Sequence, residues 1–341
     1  METKIFKVDS AESPLIREAA DILKSGGIVA IPTETVYGLA GNALDSSVTQ
    51  KIYKAKGRPS DNPLIVHISE FSQWAPLVKS IPETAKALAD KFWPGPLTVI
   101  LPKSDIIPDE VSGGLDTVAV RMPSDEIARK IITEAGVPLA APSANTSGRP
   151  SPTSARHVIE DLSGRIDAVV DGGDCDVGVE STVISLAVSP PRLLRPGGIT
   201  PGMLTEVLGE IEIDDAVYNR LAEGQQAASP GMKYKHYSPK AQIVLIKSDL
   251  DTFIAYAKEN ATESSAVLCF EGEEKDMPLR TVTYGKKDDA LSQAKHIFDA
   301  LRKLDEIGAD KVFARYPKSD GVGLAVFNRL IRAAGFNEIE L

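Results

Sequence analysis

From Leu15 to Lys24 the apolar residues Ile16, Ala19, Ala20 and Leu23 recur at helical spacing, and Gly26-Gly27 ends the pattern. Ile28 to Ile31 is a short apolar run stopped by Pro32, which predicts a buried strand opening into a loop. Asp45 or Ser46 can cap the next helix, whose stripe is Val48, Ile52 and Ala55 and whose end is marked by Gly57 and Arg58-Pro59. Leu64 to Ile68, Leu97 to Leu101, Thr117 to Met122 and Leu139 to Ala141 read as strands, as do Ala168 to Asp171, Thr182 to Leu186 and Arg192 to Leu194. Helical patterns at Glu83 to Phe92, Asp125 to Ala135 and Thr153 to Leu162 separate several of them. The fold class is therefore α/β. The sheet is mixed, because some strands follow each other too closely for helical crossovers.

Thr200-Pro201 starts a further helix, with the hydroxyl as cap and proline in the first turn, and that helix ends near Gly209. The periodicity then loosens up to Lys240. Beyond it the strand-like runs Gln242 to Ile246, Ala266 to Phe270, Arg280 to Tyr284 and Lys311 to Ala314 alternate with helices near 249–259, 288–307 and 323–334, which predicts a smaller Rossmann-like sheet. With 341 residues, this divides the chain into a domain over 1–210, a linker over 211–240 and a second domain over 241–341.

Composition narrows the function. A net charge of -10 argues against broad attraction to nucleic acid. The exception is local: no acidic residue lies between Glu223 and Asp249, where Lys233, Lys235, Lys240 and Lys247 fall. No run of about 18 apolar residues occurs, and the first residues lack the pattern of a secretory signal, so a cytoplasmic protein is expected. The two cysteines, Cys175 and Cys269, support neither a disulfide framework nor a zinc site, and both read as small buried residues.

There is no Walker-type phosphate loop, no H-E-x-x-H and no G-x-S-x-G, and Gly321-Val-Gly323 has Val326 in place of a third glycine. Any bound nucleotide must be held by another device. Lys54, Lys56 and Arg58 crowd one helix end, where cations complement the macrodipole or repel one another until an anion binds. Lys51 and Lys54 fit the first reading; Lys56 and Arg58, at a glycine- and proline-bounded exit, fit a phosphate. The loop Pro-Thr-Glu-Thr-Val-Tyr-Gly at 32–38 follows a buried strand, where open α/β sheets place ligands, although its hydroxyls also suit a plain turn and Glu34 a surface carboxylate. His67 alternates with apolar neighbours and on its own reads as structural. Thr117 and Arg121 share one face of a strand about 13 Å apart, at roughly 3.3 Å per residue. Arg121 needs either a local carboxylate or the carboxylate of a bound amino acid. Ser143-Ala-Asn145 ends another strand, and Arg195 could emerge at a cleft rim or lie on the surface.

Taken together, the K-x-R element at 56–58, Asn62, the 32–38 loop, His67 and the S-x-N element at 143–145 resemble the YrdC-like domain of the L-threonylcarbamoyladenylate synthases. The resemblance is carried by Ile28 to Arg195, extends into the linker, and after Lys240 rests on architecture and length. It implies a nucleotidyltransferase with a YrdC-like twisted mixed sheet. The enzyme would make L-threonylcarbamoyl-AMP and pyrophosphate from ATP, bicarbonate and L-threonine, for N6-threonylcarbamoyladenosine in tRNA. By the same resemblance Lys56, Arg58, Asn62, Thr117, Ser143, Asn145, Ser151 and Arg195 contact ATP, with Lys56 and Arg58 as catalytic cations. Thr35, His67, Arg121, Ala141 and Ser181 contact threonine. Lys233 and Tyr234 would reach the nucleotide from a linker that folds over the cleft as a lid; a basic spacer is the plainer reading. Mg2+ would accompany ATP, with its protein ligands and the general base unassigned. The product would pass to a tRNA-modifying transferase complex, with possible tRNA contact. A non-catalytic RNA-binding module of the same fold is the alternative. A carbamoyl-phosphate-processing enzyme is disfavoured, since two cysteines cannot furnish its zinc module.

Overall fold

The computed structural model describes residues 2–220 and 237–341. Eleven strands form one sheet and five another. The first contains β1 (Lys4–Lys7), β2 (Val29–Ile31), β3 (Gly38–Asn42), β4 (Ile65–His67), β5 (Leu97–Pro102), β6 (Thr117–Arg121), β7 (Leu139–Ala140), β8 (Ala168–Asp171), β9 (Thr182–Ser185), β10 (Arg192–Arg195) and β11 (Glu212–Ile213). Their spatial order is β1-β8-β2-β3-β7-β4-β6-β5-β9-β10-β11. Parallel pairs such as β4 with β6 alternate with antiparallel ones such as β5 with β6, so the sheet is mixed. The second contains β12 (Gln242–Lys247), β13 (Ser265–Cys269), β14 (Arg280–Thr283), β15 (Lys311–Arg315) and β16 (Glu338–Glu340), all parallel, in the order β14-β13-β15-β12-β16.

The helices are α1 (Leu15–Lys24), α2 (Ser46–Lys56), α3 (Glu83–Phe92), α4 (Asp109–Ser112), α5 (Glu126–Ala135), α6 (Ala155–Leu162), α7 (Pro201–Leu208), α8 (Leu250–Glu259), α9 (Ala290–Glu306) and α10 (Gly323–Ala333). α1 turns Ile16, Ala19, Ala20 and Leu23 inward and, with α5, buries one face of the large sheet; residues of α2, α3 and α6 enter the core on the other face. In the second half α9 and α10 pack on one face and α8 on the other. Val36 and Val179 from the first half sit in the α9–α10 core, so the two halves share apolar packing.

Local chemistry sets the ends that matter for function. Asp45 caps α2 by accepting from the Ser47 and Val48 amides. Gly57 ends it in the left-handed region at φ 63°, and the Arg58 amide closes back onto the Tyr53 carbonyl at 3.0 Å. Lys56 is thus the last helical residue, not part of the irregular exit expected from the glycine and proline. β1, β3, β11 and β16 carry no clear strand pattern in sequence. β3 in particular reads Gly-Leu-Ala-Gly-Asn and is a strand because it pairs on both sides, with β2 and β7. Within the linker range, β11 pairs with β10 where only irregular chain was expected. Among the described residues no helix is long and apolar enough to cross a membrane.

Candidate active site

The carboxyl ends of β4 and β6, the loop after β2, the loop after β7 and the strand ends at 180–181 and 195 surround one narrow cleft of about 50 Å³. Its lining brings together Thr35, Lys56, Arg58, His67, Arg121, Ala141, Ser143, Asn145, Ser181 and Arg195 from the sequence-based set.

On one side, Lys56 is only 3% exposed and ties α2 to the S-x-N loop. Its Nζ donates to the Ser143 carbonyl, to the Asn145 carbonyl at 2.6 Å and to Asn145 Oδ1 at 3.4 Å. Ser143 Oγ donates to the same Oδ1 at 2.6 Å, and the Ser147 amide donates to the Lys56 carbonyl at 2.8 Å. Burial, with the nearby Arg58 charge, pushes Lys56 well below the ordinary lysine range, while three acceptor oxygens hold its proton in place. Lys56 therefore shapes the loop as well as supplying charge. Arg58 donates to the carbonyls of Asn62 and Pro63 at 3.2 and 3.1 Å. Its Nε and both side-chain atoms of Asn62 are buried without a hydrogen-bond partner among the described residues, a set of unsatisfied groups of the kind a ligand completes.

The opposite side is built around Arg121. Its NH2 pairs with Glu34 at 2.7 Å, its NH1 donates to Thr35 Oγ1 at 2.8 Å, and its Nε donates to the Gly95 carbonyl at 3.3 Å. Glu34 is therefore not the surface carboxylate it resembled in sequence. Burial would raise it, yet the Arg121 guanidinium outweighs burial and holds the carboxyl below its usual range. Thr35 is fixed by Thr33 at 2.9 Å. His67 faces Arg121 across the parallel β4–β6 pair. Its Nδ1 lies 3.1 Å from the Ile65 carbonyl, which can only accept, so Nδ1 carries the proton and Nε2 keeps its lone pair. Burial and then the Arg121 charge lower His67 to about 3, and the ring is neutral near pH 7.

That depression sets a pH window. Relative to an unfolded value of 6.5, His67 contributes stability that is fully present above pH 6.5 and is lost as pH falls toward 3. Between pH 6.5 and 4.5 the wild type should lose about 2 to 3 kcal/mol from this group, at about 1.4 kcal/mol per pH unit. Melting curves of wild type and His67→Gln at the two pH values check this: the loss should shrink in the variant, and an identical loss would contradict it.

The third wall is Ser181 with Arg195. Ser181 Oγ lies 2.7 Å from Thr98 Oγ1, and Arg195 donates to the Ser181 carbonyl and hydroxyl, both at 3.0 Å. Arg195 is buried, not on the surface, and burial lowers it to about 10 beside Arg329 and Arg121. Ser151 does not line the cleft; it donates to Glu180, which does. Asn62 stands behind Arg58, and Thr117 lies four residues before Arg121 on β6, away from the lining set. Lys233 and Tyr234, and with them the lid, lie outside the described residues. Tyr237, just past them, lines the cleft in the left-handed region at φ 62° and packs against Phe298 at 5.1 Å.

Glu180 and Tyr237 are thus cleft residues that sequence reasoning missed, as it missed Glu34 and Thr98, which hold the cleft residues Arg121 and Ser181. Glu34 alone carried a signal, its place between Thr33 and Thr35. Among the described residues no group of three or more His, Cys, Asp and Glu could hold a metal. Cys175 and Cys269 are buried and free, and burial raises both thiols. A larger recess of about 890 Å³ beside α1 and α2 is lined by surface charges of both signs, including Lys51 and Lys54. Lys51 there donates to the Gly26 carbonyl at 2.7 Å, and the convergent buried cations of the smaller cleft are missing. The chemistry lies in the smaller cleft: clustered cations for an anion, beside hydroxyls, a neutral imidazole and an arginine–carboxylate pair.

Comparison with known proteins agrees with this geometry. Residues 21–197 match the Sua5/YciO/YrdC family, described as "Telomere recombination", and residues 199–335 match "Threonylcarbamoyl-AMP synthase, C-terminal domain". The chain is 46% identical to the threonylcarbamoyl-AMP synthase of Pyrococcus abyssi over 96% of both chains. It is 45% identical to that of Bacillus subtilis over 98% of this chain and 99% of the other. The crystal structure of P. abyssi Sua5 complexed with L-threonine superposes with a TM-score of 0.93, covering 99% of this chain and all of that one. With both of its halves matched, the chain belongs to the Sua5/YciO/YrdC family, in the branch that carries the threonylcarbamoyl-AMP synthase C-terminal domain.

Proposed function

We propose that this chain is a threonylcarbamoyl-AMP synthase, a nucleotidyltransferase that makes L-threonylcarbamoyl-AMP and pyrophosphate from ATP, bicarbonate and L-threonine. The observation that carries the reading is the juxtaposition, in one cleft, of a cation cluster with a corner of hydroxyls, a neutral imidazole and an arginine. Lys56 and Arg58 stand on one side, Thr35, His67 and Arg121 on another, and Arg195 with Ser181 forms the third wall. The relative whose structure matches over its full length was crystallised with L-threonine.

In this reading the neutral amine of threonine joins bicarbonate with loss of water, and an oxygen of the resulting carbamate attacks the α-phosphorus of ATP as pyrophosphate leaves. No protein nucleophile is required. Arg121 and Thr35 orient the amino acid, and neutral His67 offers an acceptor nitrogen without adding a charge. Arg58, Arg195 and the Lys56-organised 143–145 loop stabilise charge spread over the phosphates. Mg2+ would enter with ATP, and the Ser143 hydroxyl and Asn145 side-chain oxygen would be the groups to hold it, where it would add charge stabilisation at the phosphates. Arg121 and Lys56 are buried in the cleft walls, which would help to keep water from the carbamate and anhydride. The activated product would serve N6-threonylcarbamoyladenosine formation in tRNA through a partner transferase complex in the cytoplasm.

The test is exchange of labelled pyrophosphate into ATP, with mass detection of threonylcarbamoyl-AMP. Exchange should require both threonine and bicarbonate. Exchange independent of threonine, or no exchange alongside tight RNA binding, would reject the synthase reading.

A further inference from the structure

The second half of the chain sends two buried arginines into the back of the cleft wall. Arg329 of α10 is fully buried and pairs through Nε with Glu180 Oε2 at 2.7 Å. Its NH2 donates to the Pro196 carbonyl at 3.1 Å and to the Glu180 carbonyl at 3.4 Å. One guanidinium therefore clamps the residues that precede Ser181 and follow Arg195. The other oxygen of Glu180 accepts the Ser151 hydroxyl. Arg302 of α9 works alongside: it pairs with buried Asp161 at 2.9 Å and donates to the Pro150 carbonyl, next to Ser151, at 2.6 Å.

Charge makes Arg329 more than a brace. Glu180 pairs with Arg329 and also feels the Arg195 charge; burial would raise it, but the Arg329 charge and then that of Arg195 offset burial and hold it below its usual range. Arg195, Glu180 and Arg329 together carry a net single positive charge. Without Arg329 the trio is neutral, and Glu180, buried and stripped of its nearest cation, draws on Arg195 instead. An anion in the cleft then meets less attraction and a displaced Arg195.

We infer that Arg329 is a positioning residue for the nucleotide, acting through Glu180 to place Ser151 and Arg195, so that the C-terminal domain forms part of the ATP site. The assignment rests on the synthase reading above.

The test measures ATP and threonine dissociation constants, kinetic constants and melting temperature for the full-length wild type and variants. Arg329→Met should weaken ATP binding about 10- to 100-fold, the scale expected when a remote change misplaces a contact by about 1 Å, and threonine binding no more than a few-fold. The double variant Arg329→Met with Glu180→Gln returns the trio to a single positive charge and should recover most of the lost ATP affinity. If Arg329→Met does not fold, Arg329→Lys carries the test. It keeps the charge but cannot span Glu180 and the Pro196 carbonyl together, so it should raise the KM for ATP several-fold with little change in that for threonine. ATP binding at wild-type strength in a folded Arg329→Met, equal losses for both ligands, or an unchanged KM for ATP in Arg329→Lys would overturn the assignment. A wild type that binds neither ATP nor threonine would overturn the synthase reading instead.

Discussion

Replacing Arg121 with methionine is expected to remove threonine binding and to destabilise the fold by about 3 to 5 kcal/mol, the range for stripping one partner from a buried ion pair. Its guanidinium is committed to Glu34, Thr35 and the Gly95 carbonyl, and both members of the ion pair are under one-tenth exposed. Without it Glu34 keeps its burial and loses its cation, so the carboxyl moves from below to above its usual range. The pH dependence then changes sign. In the wild type this group contributes stability above pH 4.5 that is lost on acidification. In the variant its contribution is kept at low pH and lost as pH rises through the raised value. Melting temperatures at pH 4.5 and 8, with calorimetric titration of threonine, read both effects. Adding Glu34→Gln should restore much of the stability and none of the threonine binding. Threonine affinity unchanged in Arg121→Met would refute the assigned corner.

Arg58→Ala should fail in a different way. Its described partners are two carbonyl oxygens, those of Asn62 and Pro63, and the first keeps the Tyr53 hydroxyl once the side chain is gone. The stability cost should stay near 1 kcal/mol. Catalysis should suffer far more, with loss of one preorganised cation at the phosphates lowering the rate of pyrophosphate release about 100-fold or more and raising the KM for ATP. Threonine affinity should hold. Equal losses for ATP and threonine in this variant would mean that the two sides of the cleft are not separate ligand sites.

The architecture was legible where elements carry their own punctuation. Asp45 and Gly57 delimit α2, Pro201 opens α7, and the second half alternates apolar runs with helical stripes through to α10. β3 and β16 were not legible, because glycine, alanine and glutamate become strands there only through pairing with neighbours. The cleft residues Lys56, Arg58, His67, Arg121, Ser143 and Asn145 could be named from motif spacing. What spacing cannot give is which atoms they hold. Lys56 looked like a free phosphate ligand, and it is tethered to two loop carbonyls. Arg329 and Glu180 are 149 residues apart and each sits in an ordinary local pattern, so no window of sequence contains their pairing.

The arginine pairs that join the two halves also restrict how such chains can be rebuilt. Asp161 and Glu180 are buried anions, and each pairs with an arginine that the other half provides, although Asp161 also holds Arg149 of its own half. A hybrid joining the first half of this protein to the second half of a relative would leave Asp161 to Arg149 alone and Glu180 to Arg195 alone unless arginines arrived at both matching places. Recombined chains should therefore be most stable when the exchange carries the four positions as one block.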